Sequence, residues 1–102
     1  MSDDTLVKRD ELPLPKRYFA PRTETERRLA EIWRSALSMD KVGIEDRYLD
    51  LGGDSFLATA IFTMIEETFG TRIPMTLLVE SHTVRTLAGR IDAILKGRES
   101  ER

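Results

Sequence analysis

Three apolar stripes at helical spacing constrain this chain most. Leu29, Ile32, Trp33, Ala36 and Leu37 form the first. Leu57, Ala58, Ile61, Phe62, Ile65 and Phe69 form the second, and Val84, Leu87, Ala88, Ile91, Ile94 and Leu95 the third. Residues three and four apart share one face of a helix, so each stripe predicts an amphipathic helix with a face to bury. No segment alternates strongly enough for a sheet, and there is no internal repeat. The expected fold is all-α: a small four-helix bundle with three long helices, a short third helix and a long loop between helices 1 and 2.

Local signals place these elements. Thr23 followed by Glu26 is a capping box for helix 1, with Pro21 just outside it. Glu24 and Arg28 stand four apart and are expected to pair on its exposed side. Trp33 lies within the first stripe and is expected as a core anchor. Residues 39–54 form a connection long enough to need pinning, and Val42, Ile44, Tyr48, Leu49 and Leu51 are the candidates. This loop carries Asp40, Glu45, Asp46, Asp50 and Asp54 against Lys41 and Arg47. Helix 2 is predicted to run from Ser55 to Phe69, ended by Gly70. Its outward side carries Phe56, Thr59, Ala60, Thr63 and Glu67, and Phe56 either projects outward or folds back into the core. Met75 to Glu80 suffices for a turn or two of helix. Thr83 is the expected cap of the last helix, and Gly97 its end. Residues 1–22 contain Pro13, Pro15 and Pro21 and read as a flexible N-terminal tail or linker, with a docked strap as the alternative. The folded domain is then 23–97, and 98–102 a C-terminal tail.

Several functions are excluded. A chain of 102 residues has little room for a deep substrate cavity plus catalytic machinery. Its 16 basic and 18 acidic residues give a net charge of −2, without the basic excess of a nucleic-acid binder. It has no cysteine, hence no disulfide, thiolate metal site or thiol nucleophile of its own. The nearly apolar run from Phe56 to Ile65 is too short to cross a bilayer, and no targeting signal is present. A monomeric cytoplasmic protein with no membrane partner is expected.

The most distinctive stretch is Asp50 to Leu57, DLGGDSFL. It puts Ser55 at the mouth of helix 2. Free N–H groups and a partial positive charge at a helix N-terminus favour a phosphate ester there. Gly52 and Gly53 leave room for an approaching enzyme, and Asp54 offers a carboxylate to a basic partner. Spacing alone equally allows Ser55 or Asp54 to be simply a helix cap. Gly53 to Leu57 also superficially resembles the start of GDSL-type hydrolases. A serine nucleophile, however, needs a histidine base oriented by a carboxylate. The sole histidine is His82, and Val79 stands three residues before it, where that family has an Asp. A P-loop lacks its Lys-Ser or Lys-Thr. A calcium loop counted from Asp46 has Leu51 and Leu57 where Gly and Glu are required.

DRYLDLGGDSFLA resembles the core motif of peptidyl carrier proteins, the thiolation domains of nonribosomal peptide synthetases. APRTETERRLAEIWRSAL resembles that family's first helix, VGIEDRYLDLGGDS its long loop, and LLVESHTVRTLAGRI its third and fourth helices. The resemblance spans Ala20 to Ile94 in order. It implies that Ser55 accepts 4′-phosphopantetheine from coenzyme A, within a motif formed by Leu51, Gly52, Gly53, Asp54, Phe56 and Leu57. It implies a carrier rather than an enzyme, with no metal of its own. The implied partners are a phosphopantetheinyl transferase, an adenylation enzyme, and condensation, tailoring or thioesterase enzymes. The cargo is an aminoacyl or acyl thioester in nonribosomal peptide or related antibiotic biosynthesis. Docking candidates are Phe56, Thr59, Ala60, Thr63, Met75 and Leu78. His82 replaces a frequent Pro before the last helix, which should alter only the local turn. Asp54 replaces a frequent His and is shared with fatty-acid and polyketide acyl carriers, which keeps that reading as an alternative. A helical adaptor with Ser55 as a cap is a further one. The initial Met and the short C-terminal end suggest a free-standing type II member, although LPLPKRYFAPRT also resembles an interdomain linker.

Overall fold

The computed structural model describes residues 6–100, with side chains up to residue 97. Four α-helices follow one another: α1 (Glu24–Leu37), α2 (Ser55–Phe69), α3 (Met75–Glu80) and α4 (Val84–Ser100). Short 3₁₀ turns lie at Arg9–Glu11 and Leu49–Leu51. Helix α1 packs against α2 and α4, and α3 contacts both α2 and α4. The bundle anticipated from the three stripes is therefore formed. No strand occurs among the described residues, only isolated bridges between Val7 and Met39 and between Arg47 and Thr83.

The helix boundaries follow the local chemistry. Glu26 N donates to Thr23 Oγ1 at 3.0 Å, and Thr23 N donates to Glu26 Oε1 at 3.3 Å, completing the capping box. Arg28 and Glu24 pair at 3.0 Å. Gly70 adopts a left-handed φ of 62° at the end of α2, a conformation that costs glycine little. Thr83 Oγ1 accepts from Thr86 N at the start of α4. Trp33, Leu29, Ile61, Ile65, Val84, Leu87 and Ile91 are almost wholly buried and join the helices in one core.

The long loop is pinned by Val42, Ile44 and Leu51, which are buried, and by the half-buried Tyr48. The Tyr48 ring meets Trp33 edge-on, with centroids 5.4 Å apart. Leu49 was expected to help, yet it is 70% exposed. The tight Leu49–Leu51 turn sends Leu51 inward and Leu49 out.

Residues 6–22, expected as a flexible tail or linker with a docked strap as the alternative, lie as a strap against the bundle. Val7 N donates to Ser38 O, and Asp40 N donates to Val7 O. Leu12 and Leu14 pack on the core. Arg9 is buried: its Nε and Nη2 reach Asp46 at 2.6 and 2.7 Å, and Nη2 also donates to Lys16 O. Its guanidinium lies 5.4 Å from the centre of the Tyr18 ring. The C-terminal boundary also differs. Helix α4 continues through Gly97 to Ser100, because Gly97 does not take the left-handed conformation of a terminator. Residues 1–5 and 101–102 lie outside the described residues. Among those described, no helix is long and apolar enough to cross a membrane.

Candidate functional site

The approach to Ser55 is built by the end of the long loop. Gly52 closes the 3₁₀ turn with a φ of 92°. Gly53 then runs under the Tyr48 ring, and a Cβ there would collide with the ring carbons Cζ, Cε1 and Cε2. Its lack of a side chain therefore makes room for Tyr48 from inside, whereas the sequence suggested room for an enzyme outside. Tyr48 N donates to His82 O at 2.9 Å, which ties the loop to the α3–α4 turn. The phenol donates to Asp54 O at 2.8 Å. Burial raises the phenol pKa, and the nearby Asp54 carboxylate adds to the rise.

Asp54 is the N-cap of α2. Its backbone is extended (φ −134°, ψ 177°), and its Oδ1 accepts from Leu57 N at 2.8 Å. Ser55 is consequently the first helical residue, and a role for it as the cap is overturned. The Ser55 side chain is exposed, and no described residue bonds its hydroxyl. No acidic side chain lies in the first turn of α2 itself.

Around Ser55 the surface is apolar. Phe56 is 85% exposed, which settles its position in favour of the outward one. Thr59, Ala60 and Thr63 are exposed behind it. The two threonine hydroxyls fold back onto the carbonyls of Ser55 and Thr59. Met75 is 46% exposed, and Leu78 is half-buried in a groove beside Ser55. That groove has a volume of about 240 Å³ between the long loop, α2, α3 and the α3–α4 turn. Leu49 and Val79 also line it and are 70% and 69% exposed. Both were missed as surface contributors. Leu49 lies in a tight loop turn and Val79 in a six-residue helix, and neither element is long enough to carry a periodic stripe that tells which way an apolar residue faces.

His82 is exposed on the same groove, but no hydrogen bond joins it to Ser55, and no described carboxylate orients it. A nucleophile–base pair is not assembled. No cluster of metal-ligating side chains occurs among the described residues. A larger, open cleft of about 580 Å³ lies at the far end of α2. Its Glu66 is engaged by Ile73 N at 3.0 Å.

The fold and site thus define a small helical platform that presents one unengaged serine at a helix start. Residues 27–91 match the family described as "Phosphopantetheine attachment site", and the chain belongs to that carrier family. Tyrocidine synthase 3 of Brevibacillus parabrevis is 35% identical over 104 residues, covering 95% of this chain and 2% of that protein. The chain spans only 1–2% of the length of the curated relatives it matches first. BlmI, a type-II acyl-carrier protein from Streptomyces verticillus involved in bleomycin biosynthesis, superposes with a TM-score of 0.68 at 32% identity, over 70% of this chain and 86% of its own. A peptidyl carrier protein solved with the phosphopantetheine transferase Sfp and coenzyme A gives 0.71 at 29% identity, over 74% and 99% of the two chains.

Proposed function

We propose that Ser55 is the attachment point of 4′-phosphopantetheine and that the chain acts as a peptidyl or aminoacyl carrier. The observation that carries this reading is the division of labour at the start of α2. Asp54 caps the helix and leaves the Ser55 hydroxyl exposed and unbonded. A serine at this position has its first-turn N–H groups nearby, which favour a phosphate ester. When bound, the group supplies a flexible arm whose thiol takes an aminoacyl or acyl cargo as a thioester.

The chain's own residues hold and present. Tyr48 locks Gly53 and Asp54, so the Ser55 backbone meets an incoming enzyme in one conformation. Phe56, Thr59, Ala60, Thr63 and Met75, with Leu49, Leu78 and Val79, form the face on which partners dock. Apolar contact of this kind suits a face shared among partners. A phosphopantetheinyl transferase, an adenylation enzyme and condensing, tailoring or thioesterase enzymes are those partners, and the chain is their substrate. A peptide-synthetase pathway is supported by the relatives' being peptide synthases. We place the carrier unit at the four helices together with the strap from residue 6.

The reading is tested with coenzyme A and a promiscuous phosphopantetheinyl transferase, followed by intact-protein mass spectrometry. The wild-type chain is expected to gain one phosphopantetheinyl group and Ser55→Ala none. An unmodified wild type, alongside a control carrier that is modified, overturns it.

A further inference from the structure

We infer that the wall behind the Ser55 groove contains a binding site for one water molecule, held between Trp33 on α1 and Ser81 in the α3–α4 turn. Trp33 is 1% and Ser81 2% exposed. Trp33 Nε1 and Ser81 Oγ are buried, and neither has a hydrogen-bond partner in the protein. Buried polar atoms are nearly always satisfied, so two orphans whose residues line one cavity point to a ligand that bonds both. An indole N–H can only donate, while a hydroxyl can donate or accept. The occupant must therefore accept from Trp33 and exchange a hydrogen bond with Ser81.

Both residues line one small cavity, together with Tyr48, Ala58, Ile61 and Leu78. Its volume is about 30 Å³. A polar cavity needs roughly 10–15 Å³ to admit a water, and wholly apolar cavities stay dry. This one has room for a water and polar atoms to hold it. Anything larger would have to displace Leu78 or Tyr48. The water oxygen accepts from Trp33 Nε1, and one of its protons is donated to Ser81 Oγ.

Its placement gives it a positioning role. Tyr48, Ala58, Leu78 and Ser81 line both this cavity and the Ser55 groove. Ser81 precedes His82, whose carbonyl holds Tyr48 N, and the Tyr48 hydroxyl holds Asp54 O. A path of hydrogen bonds and covalent links thus runs from the core helix α1 through the water, Ser81, His82 and Tyr48 to the loop that presents Ser55.

The test uses the full chain with Ser55 both unmodified and modified. The Trp33 indole proton is expected to show a cross peak to a long-lived water by NMR in both forms. Ser81→Ala should weaken that peak and lower Tm, because the water loses a partner. No water cross peak in the wild type overturns the inference whether or not the variant folds. A raised Tm in Ser81→Ala also overturns it, since removing a hydroxyl from a dry cavity is favourable. So does a cross peak to pantetheine protons in place of water in the modified chain, because the arm is then the occupant. The water cross peak and the Tm comparison in the unmodified chain do not depend on Ser55 being the attachment point, and only the pantetheine outcome rests on that reading.

Discussion

Asp54 and Ser55 are neighbours with opposite relations to the helix they begin. The Asp54 carboxylate is spent on Leu57 N, whereas the Ser55 hydroxyl bonds nothing among the described residues. Replacing the cap removes a satisfied first-turn donor, so Asp54→Ala should cost about 1 kcal/mol. Ser55→Ala should change stability by less than about 0.5 kcal/mol, as for an exposed side chain without a structural bond. Urea denaturation of the two variants measures the difference, and equal losses would return Ser55 to the capping role. The GGDS order showed that a helix began here, but not which of the two residues caps it. That choice depends on the extended backbone of Asp54, which Tyr48 fixes from six residues away. The reason for Gly53 was hidden for the same cause: the Tyr48 ring lies over it only once the loop has closed.

At the scale of elements, the strap differs most from its sequence pattern. The side chains of Arg9 and Asp46 are 6% and 1% exposed and meet at 2.6 Å. Asp46 also accepts from Gly43 N at 2.8 Å, so one carboxylate anchors both strap and loop. Removing one partner of a buried pair strands the other, at a cost of about 3–5 kcal/mol. Arg9→Ala should therefore lower stability by that order. It should also speed hydrogen exchange at Val7 N and Asp40 N, whose bonds stitch the strap to the bundle. In a double-mutant cycle, adding Asp46→Ala should cost much less than Asp46→Ala does alone, and additive losses would show that the pair does not act as a unit. The helices were legible because caps and stripes are local, with partners three or four residues apart. The strap was not, because Arg9 and Asp46 are separated by 37 positions, and mixed charges with prolines are the local pattern of a disordered tail. The extension of α4 beyond Gly97 was missed because a glycine near a helix end predicts termination, while the conformation it adopts depends on the turn it sits in.

For the whole molecule, several acidic groups are held ionised by folding, and this ties stability to pH. Glu26 is the strongest case. It is 3% exposed and accepts from Arg22 N at 2.8 Å, from Arg22 Nη2 at 2.9 Å and from Thr23 N at 3.3 Å. The Arg22 side-chain bond, aided by the backbone bonds and opposed by burial, lowers its pKa from 4.5 to about 2. Glu24, Glu31 and Asp40 are lowered too, Glu24 chiefly by Arg28, Glu31 by Arg34 and Asp40 by Arg9 N. A carboxyl that holds its proton more weakly when folded stabilises the fold above its unfolded pKa, and that contribution disappears as pH falls through the folded value. For Glu26 it is fully present above 4.5 and is lost on acidification toward 2. The Arg22 side chain is 57% exposed, so solvent screening reduces the effect to about 1–2 kcal/mol. Stability measured by urea denaturation should show no loss from these groups between pH 7 and 5 and should drop below about 4.5. Glu26→Gln should be less stable at pH 7 and lose less on acidification, because its side chain no longer takes up a proton between those two pKa values. An unchanged acid slope in Glu26→Gln would assign the loss to the other carboxylates and remove Glu26 from this role.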